Sequence, residues 1–289
     1  MNAIALRLVA IFATTIVFDC FAAEQWRGQS TFRDCPDCPE LILLPAGSVV
    51  MNSDQISAVH EENKVTPDRH AVPAFAVGRF EVTVEEWGKC VAAGICPQLP
   101  DSGNDAGNHH PATHMTWFQA NDYVRWLSER TGQSYRLMSE VEWEYAARGG
   151  RVTEHSWGDG SVEEACAHAN FEDISYKSRL SNKSFANRYA ECDDGFIYAA
   201  PVGSLKPNSF GLHDTSGNVW EWTRDCWDKS RFSSSSVVTG AKQPDCQKAA
   251  IRGGSYRIGL AAVRPSMRAS RFRDFSNIDI GFRVARDTE

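Results

Sequence analysis

Residues 251–271, IRGGSYRIGLAAVRPSMRASR, set five arginines into a chain of formal charge −7. Planar guanidinium groups at that density have two uses. They bind an anion, or they tie loops together by paired hydrogen bonds to carboxylates and carbonyls. The segment holds no cysteine and no histidine, so it offers no thiolate or imidazole for chemistry. Carboxylates able to meet the arginines stand at Glu140, Glu142, Glu144, Glu221 and Asp225.

The remaining reactive side chains are cysteines and histidines. Behind the first 23 residues lie Cys35, Cys38, Cys90, Cys96, Cys166, Cys192, Cys226 and Cys246. Eight cysteines in an exported chain read as disulfides, and nearest-neighbour closure is the simplest of many connectivities. The first pair, CPDC, is equally the spacing of a redox or metal site, although no second pair at zinc spacing follows it. His109, His110 and His114 crowd into NHHPATHM as a possible metal cluster or a set of turn residues. His60 and His70 flank a polar loop, and His168 and His213 stand in HANFED and LHDTSG.

These groups need elements to hold them. Thr83 with Glu86, Thr116 with Gln119 and Ser139 with Glu142 each have the spacing of a capping box, which marks a helix start. Behind the second, Trp117, Ala120, Val124 and Leu127 form one apolar stripe, and Gly132 is placed to end it. Behind the third, Trp143, Ala146 and Ala147 face inward, and Gly149–Gly150 close the helix. ELILLPAGSVVM (40–51) reads as strand, turn and strand; 52–70 reads as a polar loop; 74–83 and 281–286 read as strands. After residue 150 the helical period disappears and the chain reads as loop, which needs disulfides or bound ions to fix it. Nine tryptophans predict a core of large aromatic plates.

Composition bounds the rest. The chain has 289 residues, 42% hydrophobic and 23% charged, ordinary for a globular protein. An acidic balance argues against a nucleic-acid partner, which needs a basic face. Arg7, the apolar run 8–18 and the small residues Ala22 and Ala23 read as a signal peptide over 1–23, too short to span a membrane. An arm over 24–39 and one domain over 40–289 follow, with periplasmic or secreted location and no membrane span after cleavage.

YRLMSEVEWEYAARGG, SWGDG, NSFGLHDTSGNVWEWTRD, IRGGSY and IGFRVAR occur in this order. Together they resemble the formylglycine-generating enzyme family, the sulfatase-modifying-factor domain, from about Glu40 to Arg286. The resemblance implies an α+β fold: a single loop-rich C-type-lectin-like domain with few regular elements and several disulfides. It also implies calcium, a cation that takes six to eight oxygens. By matching position, a first site would use the side chains of Asn170 and Asp194 and the carbonyls of Phe171 and Phe196, with Cys166–Cys192 tying the strands outside it. A second would use Asp214 and Glu221 with the carbonyls of Gly217 and Val219. Asn, Asp and Gly also populate such loops with no ion.

The same resemblance implies a copper ion held by two thiolates, and here the sequence departs from it. The matching positions are Ile258 and Val263, which cannot bind a soft metal. No copper is expected. Arg252 and Arg283 lie in family motifs and are expected in a structural network. Tyr256, Arg257, Arg264, Arg268 and Trp157 lie where the family's substrate groove would be and are candidate groove residues. Three functions follow. The first is a divergent or non-catalytic module binding a ligand or an envelope protein. The second is a periplasmic tailoring oxidase acting on a peptide or peptide-derived metabolite, as in the pyoverdine-maturation branch the chain resembles. The third, a formylglycine-generating oxidase, lacks its soft ligands.

Overall fold

The structure, a computed structural model, describes residues 30–51, 68–100, 107–179, 190–229 and 246–288. The signal peptide expected over 1–23 lies outside the described residues, as do His60 and the start of the arm.

Three sheets form. The first is antiparallel, in the order β1 (Thr31–Phe32), β2 (Leu41–Leu44), β5 (Phe75–Gly78), β11 (Val284–Asp287), β6 (Tyr135–Leu137). A second pairs β3 (Gly47–Met51) with β4 (Asp68–Val72). The third runs β10 (Ile280–Gly281), β7 (Trp220–Cys226), β8 (Lys248–Arg252), β9 (Arg268–Phe272), with β10 parallel to β7. The strand-turn-strand expected over 40–51 is present, but its two strands enter different sheets. Asp68–Val72 is strand where a polar loop was expected to continue to residue 70. The expected arm is bound into the domain from Thr31, since β1 pairs with β2.

All three capping boxes are formed. Thr83, Thr116 and Ser139 accept from the N3 backbone of helices α1 (Val84–Ala92), α2 (Trp117–Thr131) and α3 (Glu140–Arg148). Gly132 and Gly149 then end α2 and α3 in the left-handed region. Trp87 stacks on Tyr123 at 5.6 Å, and Phe282 meets both edge-on, so the core between α1, α2 and the first sheet is aromatic, as the tryptophan count implied.

The half after residue 150 is not wholly irregular. Two short helices, α4 (Val162–His168) and α5 (Ile174–Arg179), and strands β7 to β9 lie there. A helix of two turns shows too few repeats for its period to emerge from the sequence. The expected strand over 281–286 is split. Ile280–Gly281 pairs with β7 and Val284–Asp287 with the first sheet, which leaves Phe282 and Arg283 at the crossover between them.

Four disulfides join Cys35–Cys38, Cys90–Cys96, Cys166–Cys192 and Cys226–Cys246. CPDC is therefore a closed bridge.

Candidate functional site

Two acidic loops meet through Asn170 and Asn218. The first carries Asn170 and Phe171, then Asp194 and Phe196 across the Cys166–Cys192 bridge. The Asp194 carboxylate accepts from the backbone N–H of Phe196 at 2.7 Å and of Phe171 at 3.3 Å. That brings together the four residues the resemblance placed at the first calcium site. Asp173, which the sequence reading missed, is fully buried and accepts from the Asp194 N–H at 2.6 Å. Asp173, Asp193 and Asp194 each offer a carboxylate oxygen, all within 4.8 Å of one another. The signal was present as HANFED: Asp173 stands three residues beyond Asn170. Burial, with the charge of Asp173 beside it, pushes the Asp194 carboxyl up to about 7.

The second loop follows through one hydrogen-bonded chain. Asn218 N–H donates to the Asn170 carbonyl at 2.8 Å, and Asn170 Nδ2 donates to Asn218 Oδ1 at 3.3 Å. Gly217 makes this approach possible. Its φ is +82°, and a Cβ there would stand 1.9 Å from the Asn170 carbonyl oxygen. Asn218 Nδ2 in turn donates to Glu81 Oε1 at 3.0 Å. Glu81, Asp214 and Glu221 are all buried in this second loop system. The sequence reading placed Asp214, Gly217, Val219 and Glu221 here but missed Glu81, which lies more than a hundred residues away in FEVT. Burial, then the charges of Asp214 and Glu221, hold the Glu81 carboxyl well above the usual carboxylate range. Burial also raises Asp214 to about 6.

Arg283 supplies the positive charge. Its guanidinium grips Glu221 through three contacts of 2.8–3.1 Å and donates as well to the carbonyls of Gly78, Arg79 and His213. Trp143 Nε1 donates to Glu221 Oε2 at 2.8 Å. This confirms the network role expected of Arg283. Arg252 behaves alike: fully buried, it donates to Glu144 at 2.5 Å, Glu140 at 3.4 Å and the Pro265 carbonyl at 2.7 Å.

The residues fit calcium on two observations. Asn170 Oδ1 and Glu81 Oε2 are buried and have no hydrogen-bond partner among the described residues. A buried oxygen without a donor is costly unless a cation or water meets it.

The candidate groove residues differ in how far the fold engages them. Arg268 does not face solvent. It makes a bidentate pair with Glu140 at 2.6 and 2.8 Å and stacks on Trp227. Tyr256 is buried among Tyr176 and Tyr198. Nearby carboxylates and aromatics thus engage both side chains internally. Arg264 pairs with Glu154 at 3.1 Å. Arg257 remains exposed beside Tyr176 and Asp279. Trp157 is half-buried, sandwiched between His155 and His168 at 4.4 and 5.8 Å. Val263 is fully buried and Ile258 partly so, and a Cβ on Gly254 would stand 2.8 Å from the former and 2.9 Å from the latter. Those two positions thus form one aliphatic contact, packed against Phe171 and the Cys166–Cys192 bridge.

His109, His110 and His114 do not assemble a metal cluster. His110 Nδ1 lies 3.3 Å from the Gly107 carbonyl in a turn, and the acidic trio around Asp194 is the grouping with metal-ligand spacing among the described residues.

Loop-rich α+β architecture, four disulfides and paired acidic loops define a class of disulfide-stapled domains. The chain belongs to the formylglycine-generating family: residues 28–288 match the sulfatase-modifying factor enzyme 1-like domain. It is 33% identical over 185 residues to the formylglycine-generating enzyme of Streptomyces coelicolor, covering 63% of this chain and 54% of that one. To the mouse formylglycine-generating enzyme it is 33% identical over 196 residues, covering 66% and 48%. The chain therefore spans about half the length of these curated relatives. Among solved structures it is similar to PvdO from Pseudomonas aeruginosa, with 29% identity, TM-score 0.68, and 90% of this chain and 98% of that one covered. No helix among the described residues is long and apolar enough to cross a membrane.

Proposed function

We propose that this is an exported member of the formylglycine-generating family that binds a ligand or protein partner and has lost the family's copper chemistry. The carrying observation is the Ile258–Val263 contact beside Gly254. Two aliphatic side chains stand where two thiolates are required, and neither donates to Cu(I). Calcium acts as a structural ion in the two acidic loops, in line with the unpartnered oxygens of Asn170 and Glu81. Arg257, left exposed, supports a contact for a carboxylate-bearing peptide or metabolite, with Arg264 and Trp157 as further candidate groove residues.

A test incubates the purified, disulfide-intact protein with copper(I), oxygen and a cysteine-containing peptide of sulfatase type. The peptide keeps its mass, and no copper co-purifies through sulfur. An aldehyde product would overturn the proposal.

A second reading is favoured by the near-complete coverage of PvdO. Here the chain is a periplasmic oxidase tailoring a peptide-derived metabolite. Incubation under oxygen with peptide precursors isolated from the same envelope separates the two: a product lighter by two hydrogens, with oxygen reduced to hydrogen peroxide, supports the oxidase, whereas binding with unchanged mass supports the module.

A further inference from the structure

We infer that Cys35–Cys38 is a thiol–disulfide exchange site, reduced by an external dithiol while the rest of the protein stays folded. The other three bridges staple the chain, and this one is placed to open and close.

Loop length separates the four. A disulfide stabilises a fold chiefly by restricting the unfolded chain, and the effect grows with the number of residues enclosed. Cys166–Cys192 and Cys226–Cys246 join positions 26 and 20 apart, whereas Cys35–Cys38 joins positions 3 apart. A bridge that adds little to folding is, by linkage, opened at little cost to folding. Cys90–Cys96 is also short, at 6 positions, but both of its cysteines are buried. At Cys35–Cys38 burial is one-sided. Cys35 is half-buried next to an exposed Pro36, and Cys38 lies in the core. That asymmetry gives an incoming thiolate one sulfur to attack and the other to expel.

The arm does not need the bridge to stay in place. Before it, Asp34 accepts from the Tyr135 hydroxyl at 2.6 Å and pairs with Arg286 at 3.3 Å. Between the cysteines, Asp37 accepts from Arg130 at 2.5 Å. The Cys38 N–H donates to the Cys35 carbonyl at 3.1 Å, and Arg33 donates to the Cys38 carbonyl at 2.5 Å. Strands β1 and β2 pair on either side. None of these contacts uses a sulfur, so reduction removes none of them. Reduction adds one. Cys35 Sγ lies 3.3 Å from Asp37 Oδ1, where a disulfide sulfur has no proton to give and a thiol has one. The dithiol form gains a hydrogen bond that the disulfide form lacks.

In the exchange, a thiolate of the external dithiol attacks Cys35 Sγ. The Cys35–Cys38 bond breaks, and Cys38 leaves with the electron pair and takes up a proton. The second thiol of the dithiol, deprotonated, then attacks the partner sulfur bonded to Cys35 and expels Cys35, which is protonated in turn. Two electrons and two protons pass to the protein, and the dithiol is left as a disulfide.

The test uses the full, disulfide-intact chain, equilibrated without oxygen in mixtures of reduced and oxidised dithiothreitol and then trapped with N-ethylmaleimide. Peptide masses assign each opened bridge, and circular dichroism follows the fold. Cys35 and Cys38 are expected to open at a reduced-to-oxidised ratio lower by on the order of tenfold or more than any other pair requires. At that ratio the circular dichroism spectrum stays that of the untreated protein, and excess oxidised dithiothreitol closes the bridge again. Opening together with or after another bridge, or only as the spectrum is lost, overturns the inference. The double variant Cys35→Ser/Cys38→Ser gives a second check and should melt close to the parent. A variant that fails to fold, or melts far below the parent, makes the bridge a staple and overturns the inference as well.

Discussion

Asp194 shows how a single carboxyl couples this protein to pH. Burial raises its pKa to about 7, above the ordinary value for an aspartate. A carboxyl whose folded pKa is raised contributes stability below its unfolded pKa and loses it as pH climbs through the folded value. In chelator, its contribution therefore fades between about pH 4 and pH 7. Calorimetric scans of chelated parent and Asp194→Asn should show this as a falling difference in the parent alone, with the variant flatter across that window. Calcium should restore more stability at pH 8 than at pH 5. The buried pair of Arg252 and Glu144 makes a second prediction. Glu144 also receives Arg148 at 2.7 Å, so Glu144→Gln leaves two buried guanidinium groups under-compensated. The expected loss is about 3–5 kcal/mol, read from denaturant midpoints.

Helix α2 illustrates how an element is specified. Thr116 accepts from the Gln119 N–H at 3.3 Å, and Gln119 returns a side-chain oxygen to the Thr116 N–H at 2.8 Å. Thr116→Ala should cost about 1 kcal/mol of stability in chemical denaturation and leave ligand binding unchanged. The loop behind α4 obeys different rules. It is held by Cys166–Cys192, which lies against Phe171 and Val263. Replacing both cysteines with alanine should lower stability by about 2–4 kcal/mol and weaken calcium binding at the first loop as well, because Asn170 and Asp194 lie on its two sides. Titration of the reduced-loop variant with calcium checks the second effect. The split between Ile280–Gly281 and Val284–Asp287 has the same logic. The strand breaks so that Arg283 can turn to Glu221, which serves the site and not the sheet.

At the level of the complete chain, the net charge is acidic. With a formal charge of −7 and a sequence pI near 5.7, the protein should pass through immobilised DNA without retention at about 0.15 M salt. Arg257 is the candidate contact for a carboxylate ligand; Arg257→Ala should weaken such binding while leaving the melting temperature close to the parent's, since the side chain is exposed. Arg268→Ala should do the opposite, destabilising the fold through Glu140.

The helix starts, their stops, the disulfide pairing and the family were legible in the chain because each is written in neighbouring or regularly spaced residues. Thr83, Thr116 and Ser139 announce their helices within four positions, and the aliphatic character of Ile258 and Val263 is plain from their identity alone. The fate of the arginines was not legible. Whether Arg268 met a ligand or Glu140, whether Glu81 joined Asp214, and whether Asp173 stood beside Asp194 depended on which loops the folded chain brings together. Buried charge is satisfied by the nearest partner in space. Sequence spacing does not encode that distance, so only the tertiary structure settled it.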